Sequence, residues 1–537
     1  MRMGNHKTKE SGKLSQLWLL LLILCIGFGA YWLTVTAIPN NEKNEISENR
    51  SAKPSSVCTT VESPKPRKST RPTISGDPDA AANGAIRNQR AIVFTDDEAM
   101  RKFLSKLGDG VNLLGRIDKL NTLLIGYGNL ADLEALLDGS EEKSMNYPVN
   151  IPAFESVGAQ AGSAPLENGL LKWLGVEGDN SLWGKGVTIA ILDTGIADHS
   201  VFQNEIQRIN LVPLPENPAD LNGHGTAVAS LIFSNNTFAP GVAPGATPLS
   251  VRIADDNGSS NSFLISQGII AAVDAGAQLI NISLGGQGKS NIVDKAVEYA
   301  EARGAVIVAA AGNSGTDGVL QPAANPSVIA VGAVDASNQA MAFSTTGSEV
   351  AISAPGYKVN VAYPGDSAAQ VNGTSFSAPI AVGAIAGVAS SSGTQTMTAQ
   401  QAADLVLGNL NDVGIQGKDD STGSGVPDMA RIINAGTPGR YDAAINSIYT
   451  TDDNQVQVLV QNLGTETLVN AGISVNINGS ITQANITTLA PNETRLITVP
   501  KGSTADLNIQ STVRLSGSQN DQRPSNDSLS QKIIPAP

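Results

Sequence analysis

The sequence predicts an α/β fold with a doubly wound parallel sheet, preceded by a small α+β module and followed by a β-sandwich. Between residues 165 and 437, short continuous apolar runs alternate with segments rich in alanine and glycine. Such runs are typical of strands buried on both faces of a parallel sheet, and the intervening segments are typical of crossover helices. Residues 89–150 and 440–537 follow other patterns, so we expect them to form separate domains.

The composition indicates a globular protein of several domains and argues against a nucleic-acid partner. The chain has 537 residues, more than a single domain usually contains. Hydrophobic residues make up 41% but aromatic residues only 4%, and 54 residues are glycine, so small side chains must fill much of the interior. The formal net charge of -14 is opposite to the basic surface that nucleic acids require.

The two cysteines exclude several kinds of chemistry from the globular part of the chain. Cys25 lies in an apolar segment and Cys58 in a polar stretch of low complexity, and no cysteine follows. We therefore expect no thiol catalysis, no disulfide framework and no cysteine zinc cluster in the folded domains.

Residues 1–38 are interpreted as a signal peptide or an N-terminal membrane anchor. Four basic residues precede an uncharged apolar run at 17–33, which is the order of an export segment with its N-terminus inside. The length of the run and the pair Tyr31 and Trp32 favour an uncleaved anchor. Small residues ending at Ala37 fit signal cleavage instead, so the protein is expected outside the cytoplasm, as an anchored precursor or a secreted protein.

The segments on either side of the central domain have distinct patterns. Residues 39–88 are rich in Asn, Ser, Lys, Pro and Glu without hydrophobic periodicity, and we expect a disordered linker. Residues 89–150 alternate strand and helix patterns in the order βαββαβ, which predicts a two-layer ferredoxin-like module. From 440 to 537 only strand patterns occur, which predicts a β-sandwich.

Asp193 and His224 are the first candidate catalytic residues. The apolar run VTIAIL ends at Asp193, and the carboxyl ends of parallel strands face the crevice where α/β folds bind ligands. His224 has a glycine on each side and begins a predicted helix of small residues. Of the other two histidines, His6 precedes the apolar segment and His199 lies in a turn with an expected structural role. Taken alone, Asp193 is better explained as an ordinary turn aspartate before glycine.

Asn313 and Ser375 complete the set of candidates. Asn313 follows a further buried strand and offers an amide donor at the same sheet edge, although a turn asparagine beside glycine is the simpler explanation. Ser375 follows Gly373 at the start of a buried helix, where free N–H groups favour developing negative charge. For Ser375 or Ser377 alone, a helix N-cap is the alternative.

Together these segments resemble the motifs of the subtilases, the serine proteases of peptidase family S8. ILDTGI resembles the aspartate motif, HGTAVAS the histidine motif, AAGNSG the oxyanion-asparagine motif and GTSFSAP the nucleophile motif. NISLGG and PSVIAVGAV resemble two further family stretches. The resemblance covers residues 165–435 and is specific because three independent motifs occur in the order Asp, His, Ser. There is no GxSxG elbow to support an α/β-hydrolase.

The resemblance implies a role for each candidate. Ser375 would be the nucleophile, His224 the general base and acid, and Asp193 the group that orients the imidazole. Asn313 would donate to the oxyanion together with the Ser375 N–H. The implied substrate-binding residues are Gly258, Ser259 and Ser260 on a strand that pairs with substrate, and Ser283, Leu284, Gly285, Ala310, Ala311 and Gly312 around the primary specificity pocket.

The flanking modules also resemble domains found in this family. Residues 89–150 resemble an I9-type inhibitory propeptide, which implies cleavage between about Lys143 and Leu166 and a tail, MNYPVNIP, in the substrate site. An accessory ferredoxin-like domain is the alternative. Residues 440–537 resemble an Ig-like, CARDB-like domain, whose role in binding or in stability is left open.

The predicted function is a serine endopeptidase that hydrolyses extracytoplasmic proteins and is made as a self-processing precursor. The expected partners are polypeptide substrates, the chain's own propeptide and a membrane through the N-terminal segment. A catalytically inactive peptide-binding subtilase and a restricted processing or ligating enzyme are the alternatives. The chemistry needs no cofactor. Structural calcium is an open alternative at Asp255–Asn257 and Asp412–Gly423, whose carboxylates match no ligand template and also suit solvated loops.

Overall fold

The computed structural model describes seven stretches of the chain, residues 77–151, 163–216, 222–315, 318–390, 396–451, 453–502 and 506–533. The predicted signal or anchor at 1–38 lies outside these stretches. Within them, no helix has the length and the apolar character needed to cross a membrane.

The first described residues correct the predicted linker. Helix α1 (Pro78–Ala82) is capped by the side chain of Asp77. The same carboxylate, which is buried, forms an ion pair with Arg90 and accepts a hydrogen bond of 2.6 Å from the Tyr127 hydroxyl. Residues 77–88 are therefore tied to the following module by long-range contacts, which local composition does not reveal.

The first module has the predicted βαββαβ order and a ferredoxin-like sheet. Its strands follow the order β2–β3–β1–β4, with antiparallel neighbours. Ile92, Met100 and Phe103 are buried between this sheet and its helices. A last strand, β5, leaves the module. The elements are β1 (Gln89–Val93), α2 (Asp97–Leu104), β2 (Val111–Ile117), β3 (Thr122–Tyr127), α3 (Leu130–Glu134), β4 (Glu142–Met145) and β5 (Pro148–Asn150).

The central domain is the predicted α/β fold. Its seven-stranded parallel sheet has the order β13–β12–β11–β10–β6–β8–β7, with an apolar core on each face. The elements are α4 (Leu170–Trp173), β6 (Thr188–Asp193), β7 (Gln207–Asn210), α5 (His224–Phe233), β8 (Thr247–Arg252), β9 (Ser259–Asn261), α6 (Ser262–Asp274), β10 (Leu279–Ile282), α7 (Asn291–Glu301), β11 (Val306–Ala310), β12 (Val328–Val334), β13 (Val350–Pro355), β14 (Val359–Tyr363), β15 (Ser367–Val371), α8 (Thr374–Ser390), α9 (Ala399–Leu407) and α10 (Met429–Ile433).

Helix α8 shows why this domain needs so many small residues. All 17 of its residues are buried. A Cβ atom built on Gly383 would lie 2.6 Å from Val242 Cβ, and one built on Gly387 would lie 2.8 Å from the Trp183 ring. Because neither contact leaves room for a side chain, the helix can pass through the core only with glycine at these positions.

The last module is an antiparallel β-sandwich, as the strand patterns predict. Its two sheets have the orders β16–β17–β20 and β19–β18–β21–β22. Val458, Ile473 and Val513 are buried in the core between them. The strands are β16 (Ala443–Thr450), β17 (Gln455–Asn462), β18 (Leu468–Ile477), β19 (Ser480–Leu489), β20 (Thr494–Pro500), β21 (Leu507–Arg514) and β22 (Ser528–Ile533).

Candidate active site

The carboxyl end of β6 meets the first turn of α5, which brings Asp193 and His224 together. Both side chains are buried, and His224 Nδ1 lies 2.9 Å from each carboxylate oxygen of Asp193. The Thr194 N–H also donates to this carboxylate, at 2.7 Å. Because an ionised carboxylate can only accept, His224 Nδ1 carries the proton and Nε2 is the basic nitrogen of the neutral ring.

The glycine after the histidine has a more specific role than clearing space around the imidazole. A Cβ atom built on Gly225 would lie 2.4 Å from the Gly195 carbonyl oxygen and 3.2 Å from Asp193 Cβ. The Gly225 N–H also donates to the Thr194 hydroxyl at 3.1 Å. Glycine is therefore required here because the helix start and the strand end approach each other too closely for any side chain.

Ser375 lies one residue inside helix α8, and its surroundings explain the proline that follows. Pro379 has no N–H to donate to the carbonyl four residues earlier, which is that of Ser375. The Ser283 hydroxyl donates to that carbonyl instead, at 2.7 Å. In return, Ser375 Oγ donates to the Ser283 carbonyl at 3.0 Å. The Ser375 side chain is thus a hydrogen-bond donor to the end of β10 rather than a cap acceptor.

His224 and Asn313 both lie beside the start of α8. The His224 ring is 5.5 Å from the ring of Phe376, between centroids. The amide oxygen of Asn313 accepts two hydrogen bonds of 2.9 Å from Thr374, one from its N–H and one from its hydroxyl. These bonds orient the Asn313 amide group, and a Cβ atom built on Gly373 would lie 3.1 Å from its Nδ2. The four predicted residues therefore converge at one edge of the sheet.

A strand of the chain itself lies along the predicted substrate-binding residues. Strand β5 pairs with β9, with Val149 opposite Ser260 and Asn150 opposite Ser259. The Ile151 N–H donates to the Gly258 carbonyl at 2.8 Å. On its other side, the Asn150 N–H donates to the Gly285 carbonyl at 3.3 Å.

The remaining predicted pocket residues lie at or just after the carboxyl ends of two neighbouring strands. Ser283, Leu284 and Gly285 follow β10, and Ala310, Ala311 and Gly312 come at the end of β11, which pairs with β10 in parallel. Val149 is buried with Leu284 in one apolar cluster.

Sequence reasoning missed the roles of three side chains in this site: Ser283, whose position in the pocket was predicted but not the hydrogen bond of its hydroxyl, and Thr374 and Leu320, which were not named. Ser283 lies in NISLGG and Thr374 directly precedes Ser375 in GTSFSAP, so membership of a recognised motif is the signal that was available. Leu320 stands outside the recognised motifs and carries no comparable signal.

In the two loops considered for calcium, carboxylates accept hydrogen bonds from backbone N–H groups. Asp255 accepts hydrogen bonds of 2.9 Å from the N–H groups of Asn257 and Ser259. Asp412 accepts one of 2.9 Å from Gly417, and burial raises its pKa to about 6. In the stretches that the structure describes, no three His, Cys, Asp or Glu side chains are grouped so as to hold a metal ion. Structural calcium stays a prediction.

Comparisons with known proteins point to one family. Residues 184–425 match the subtilase family model, Peptidase_S8. An alkaline protease of Alkalihalobacillus alcalophilus is 33% identical over 316 residues, which cover 57% of this chain and 82% of the relative. Subtilisin Savinase of Lederbergia lenta is 39% identical over 210 residues, 39% of this chain and 78% of the relative. A thermostable alkaline protease of Halalkalibacterium halodurans is also 39% identical, and this chain spans 58% of its length.

Among solved structures, the protease domain of PatA is 30% identical and covers 49% of this chain and 100% of its own, with a TM-score of 0.44.

A parallel α/β sheet that gathers an aspartate, a histidine, a serine and an asparagine at one edge is the arrangement of a subtilisin-like serine protease. With relatives at 33% and 39% identity that are matched over most of their length, the chain belongs to the subtilase family of serine endopeptidases.

Proposed function

We propose that this chain hydrolyses peptide bonds of extracytoplasmic polypeptides, with Ser375 as nucleophile, His224 as base and Asp193 as the orienting carboxylate. The observation that carries the proposal is the buried pair of hydrogen bonds, each 2.9 Å, between the Asp193 carboxylate and His224 Nδ1. This pair fixes the tautomer in which Nε2 can accept a proton, beside a serine at a helix N-terminus.

The reaction follows from the donors and acceptors of the site. Ser375 Oγ forms a bond to the peptide carbonyl carbon while its proton moves to His224 Nε2. The oxyanion receives hydrogen bonds from Asn313 Nδ2 and the Ser375 N–H, and the Asp193 carboxylate stabilises the imidazolium. His224 then returns the proton to the departing amine. Water repeats the sequence on the acyl-enzyme and restores Ser375.

Substrate binding also prepares the nucleophile. An added strand donates to the Gly285 carbonyl, as the Asn150 N–H does at 3.3 Å. A substrate N–H that reaches Ser283 in the same way competes with Ser375 Oγ for the Ser283 carbonyl, where the hydroxyl now donates at 3.0 Å. The serine hydroxyl is then released to turn toward His224.

We further propose that residues 89–150 act as an inhibitory propeptide and that the precursor processes itself. The support is β5, which pairs with Ser259 and Ser260 on one side and bonds Gly285 on the other, where a substrate strand would lie. Because the described strand ends at Asn150, the proposed cleavage lies between 151 and Leu166. Cleavage there would release the enzyme from a membrane-anchored or exported precursor, whose support is the export pattern of residues 1–38.

We also propose that the C-terminal sandwich, which resembles an Ig-like CARDB domain, stabilises the catalytic domain. The support is a set of buried polar contacts between them. The Asp412 N–H donates to Gln461 Oε1 at 2.9 Å, and Arg523 donates to Asp428 at 2.6 Å.

Hydrolysis of casein and of fluorogenic peptides by the full chain tests the catalytic proposal. We expect Ser375→Ala to abolish hydrolysis and reaction with a serine-directed covalent inhibitor, and to leave the precursor at full length. The matched control is Ser377→Ala. The Ser377 hydroxyl is buried in the same helix and has no hydrogen-bond partner among the described residues. Absence of hydrolysis and of inhibitor labelling in wild type as well as in Ser375→Ala would instead support an inactive, peptide-binding subtilase, and equal hydrolysis by both would rule out Ser375 as the nucleophile.

A further inference from the structure

Leu320 lies on a short segment that is held against both walls of the predicted specificity pocket. Its N–H donates to the Ala311 carbonyl at 3.0 Å, and its own carbonyl accepts from Ala324 at 2.9 Å. The next residue, Gln321, exchanges two hydrogen bonds with Gly286, of 2.9 Å and 3.1 Å. Leu320 cannot leave this position without breaking several of these backbone hydrogen bonds.

The Leu320 side chain lies between the two walls. A Cβ atom built on Gly285 would lie 2.9 Å from Leu320 Cβ and 3.2 Å from its Cδ1 methyl. A Cβ atom built on Gly312 would lie 2.9 Å from Leu320 Cγ and 3.1 Å from the same Cδ1 methyl. One methyl group therefore contacts both walls, and the space between the two glycines is filled at this depth. The side chain is half-buried, so part of it remains uncovered.

The two walls start at the reacting groups. The Ser283 carbonyl, at the beginning of one wall, accepts the hydrogen bond from Ser375 Oγ at 3.0 Å. Gly312, at the end of the other wall, directly precedes Asn313, whose amide oxygen is held by Thr374. The substrate side chain that enters between these walls therefore belongs to the residue whose carbonyl is attacked.

We propose that Leu320 forms the base of this pocket and limits it to small side chains, so that the enzyme cleaves after glycine, alanine or serine rather than after leucine or phenylalanine. The inference rests on the proposed function of Ser375. A close-packed pocket rejects added volume because the surrounding side chains cannot all relax. A single methylene in such a pocket changes kcat/KM by about 10- to 200-fold.

The test measures kcat/KM of the mature enzyme on fluorogenic tetrapeptides that differ only in the residue before the cleaved bond. We expect wild type to prefer alanine over phenylalanine by at least about 10-fold. Leu320→Ala should raise the phenylalanine-to-alanine ratio by about 10-fold or more, mainly through a lower KM for phenylalanine. The matched control is Val319→Ala, because the Val319 side chain lies toward Gly347 and not toward Gly285 or Gly312. This variant should change the phenylalanine-to-alanine ratio by less than about 2-fold.

Two further variants keep the test decisive if Leu320→Ala does not fold. Leu320→Val removes one methylene and should raise the same ratio by a smaller factor. Leu320→Phe should lower kcat/KM even for the alanine substrate while a fluorophosphonate probe still labels Ser375. A wild type that prefers phenylalanine, or active Leu320 variants with an unchanged ratio, would overturn the inference and leave the proposed function intact. Absence of both labelling and hydrolysis in wild type would remove the proposed function, and the inference with it.

Discussion

At the scale of single residues, Thr374 shows how a catalytic group is held by a neighbour. Its N–H and hydroxyl both donate to the Asn313 amide oxygen at 2.9 Å, and the hydroxyl is also 3.1 Å from the Gly312 carbonyl. The hydroxyl therefore prevents the amide group from rotating, so that Nδ2 is available to an oxyanion. Thr374 touches no reacting atom in this arrangement and is a positioning residue.

Replacement of Thr374 tests this role. Thr374→Val keeps the shape of the side chain but removes one of the two hydrogen bonds to Asn313, a loss of about 1 kcal/mol. We expect kcat to fall about 5- to 10-fold with KM nearly unchanged, because the oxyanion forms only after substrate binding. Thr374→Ser keeps the hydroxyl and should retain most of kcat. A change in KM alone, or equal losses in both variants, would indicate a packing role instead.

At the scale of elements, the N-terminus of helix α6 depends on another module. The Ser262 N–H donates to the Tyr147 carbonyl at 2.9 Å, and the Phe263 N–H donates to Asn146 Oδ1 at 3.1 Å. Only the third N–H, that of Leu264, is satisfied by the adjacent Asn261. Because the first N–H groups of a helix have no partner within it, residues 146–147 stabilise α6 only while the first module is bound.

Asn146→Ala should therefore weaken the attachment of the first module. The loss of a cap acceptor costs about 1 kcal/mol, which corresponds to about 5-fold weaker binding of the processed module. The measurement is the peptidase activity recovered when the processed complex is diluted. Asn129→Ala is the control, since Asn129 caps α3 within the first module through the Ala131 N–H. Equal effects of both variants would mean that the module itself, rather than its interface, has been destabilised.

The contrast between these elements shows what the sequence could predict. The strands that end at Asp193 and Ala310 are marked by continuous apolar runs, and the motifs that follow them are local in sequence, so both the sheet and the four candidate residues were predicted. The cap at Asn146 joins residues 117 positions apart. Leu320 and helix α1 likewise depend on contacts between distant segments, and no local pattern encodes these.

At the scale of the whole molecule, the C-terminal sandwich holds carboxyl groups with raised pKa values, one of them beside the Arg523 that pairs with Asp428 of the catalytic domain. Burial raises the pKa of Asp442 to about 6, even though Asn526 donates to it at 2.8 Å and Arg523 is nearby. Burial also raises the pKa of Asp527 to about 7, and the charges of Asp521 and Asp442 add to this effect. One oxygen of Asp527 is buried without a hydrogen-bond partner among the described residues. These groups oppose folding when they are ionised.

The direction of the pH dependence follows from these pKa values. A carboxyl group ionises near pH 4 in the unfolded chain, so between about pH 4 and 7 the folded state binds more protons than the unfolded state. The contribution of these groups to stability is therefore complete below about pH 4 and declines as pH rises through 6 and 7.

Asp527→Asn removes one such ionisation while it preserves the shape of the side chain. In the inactive Ser375→Ala background, which prevents self-digestion, we expect this change to raise the Tm by roughly 2–4 °C at pH 8 and by much less at pH 5. Differential scanning calorimetry at both values measures this, with Asp506→Asn as the control for loss of an exposed carboxylate in the same sandwich. An equal shift at both pH values would show that packing rather than ionisation governs the effect, because the folded-state carboxyl of Asp527 is protonated at pH 5 and ionised at pH 8.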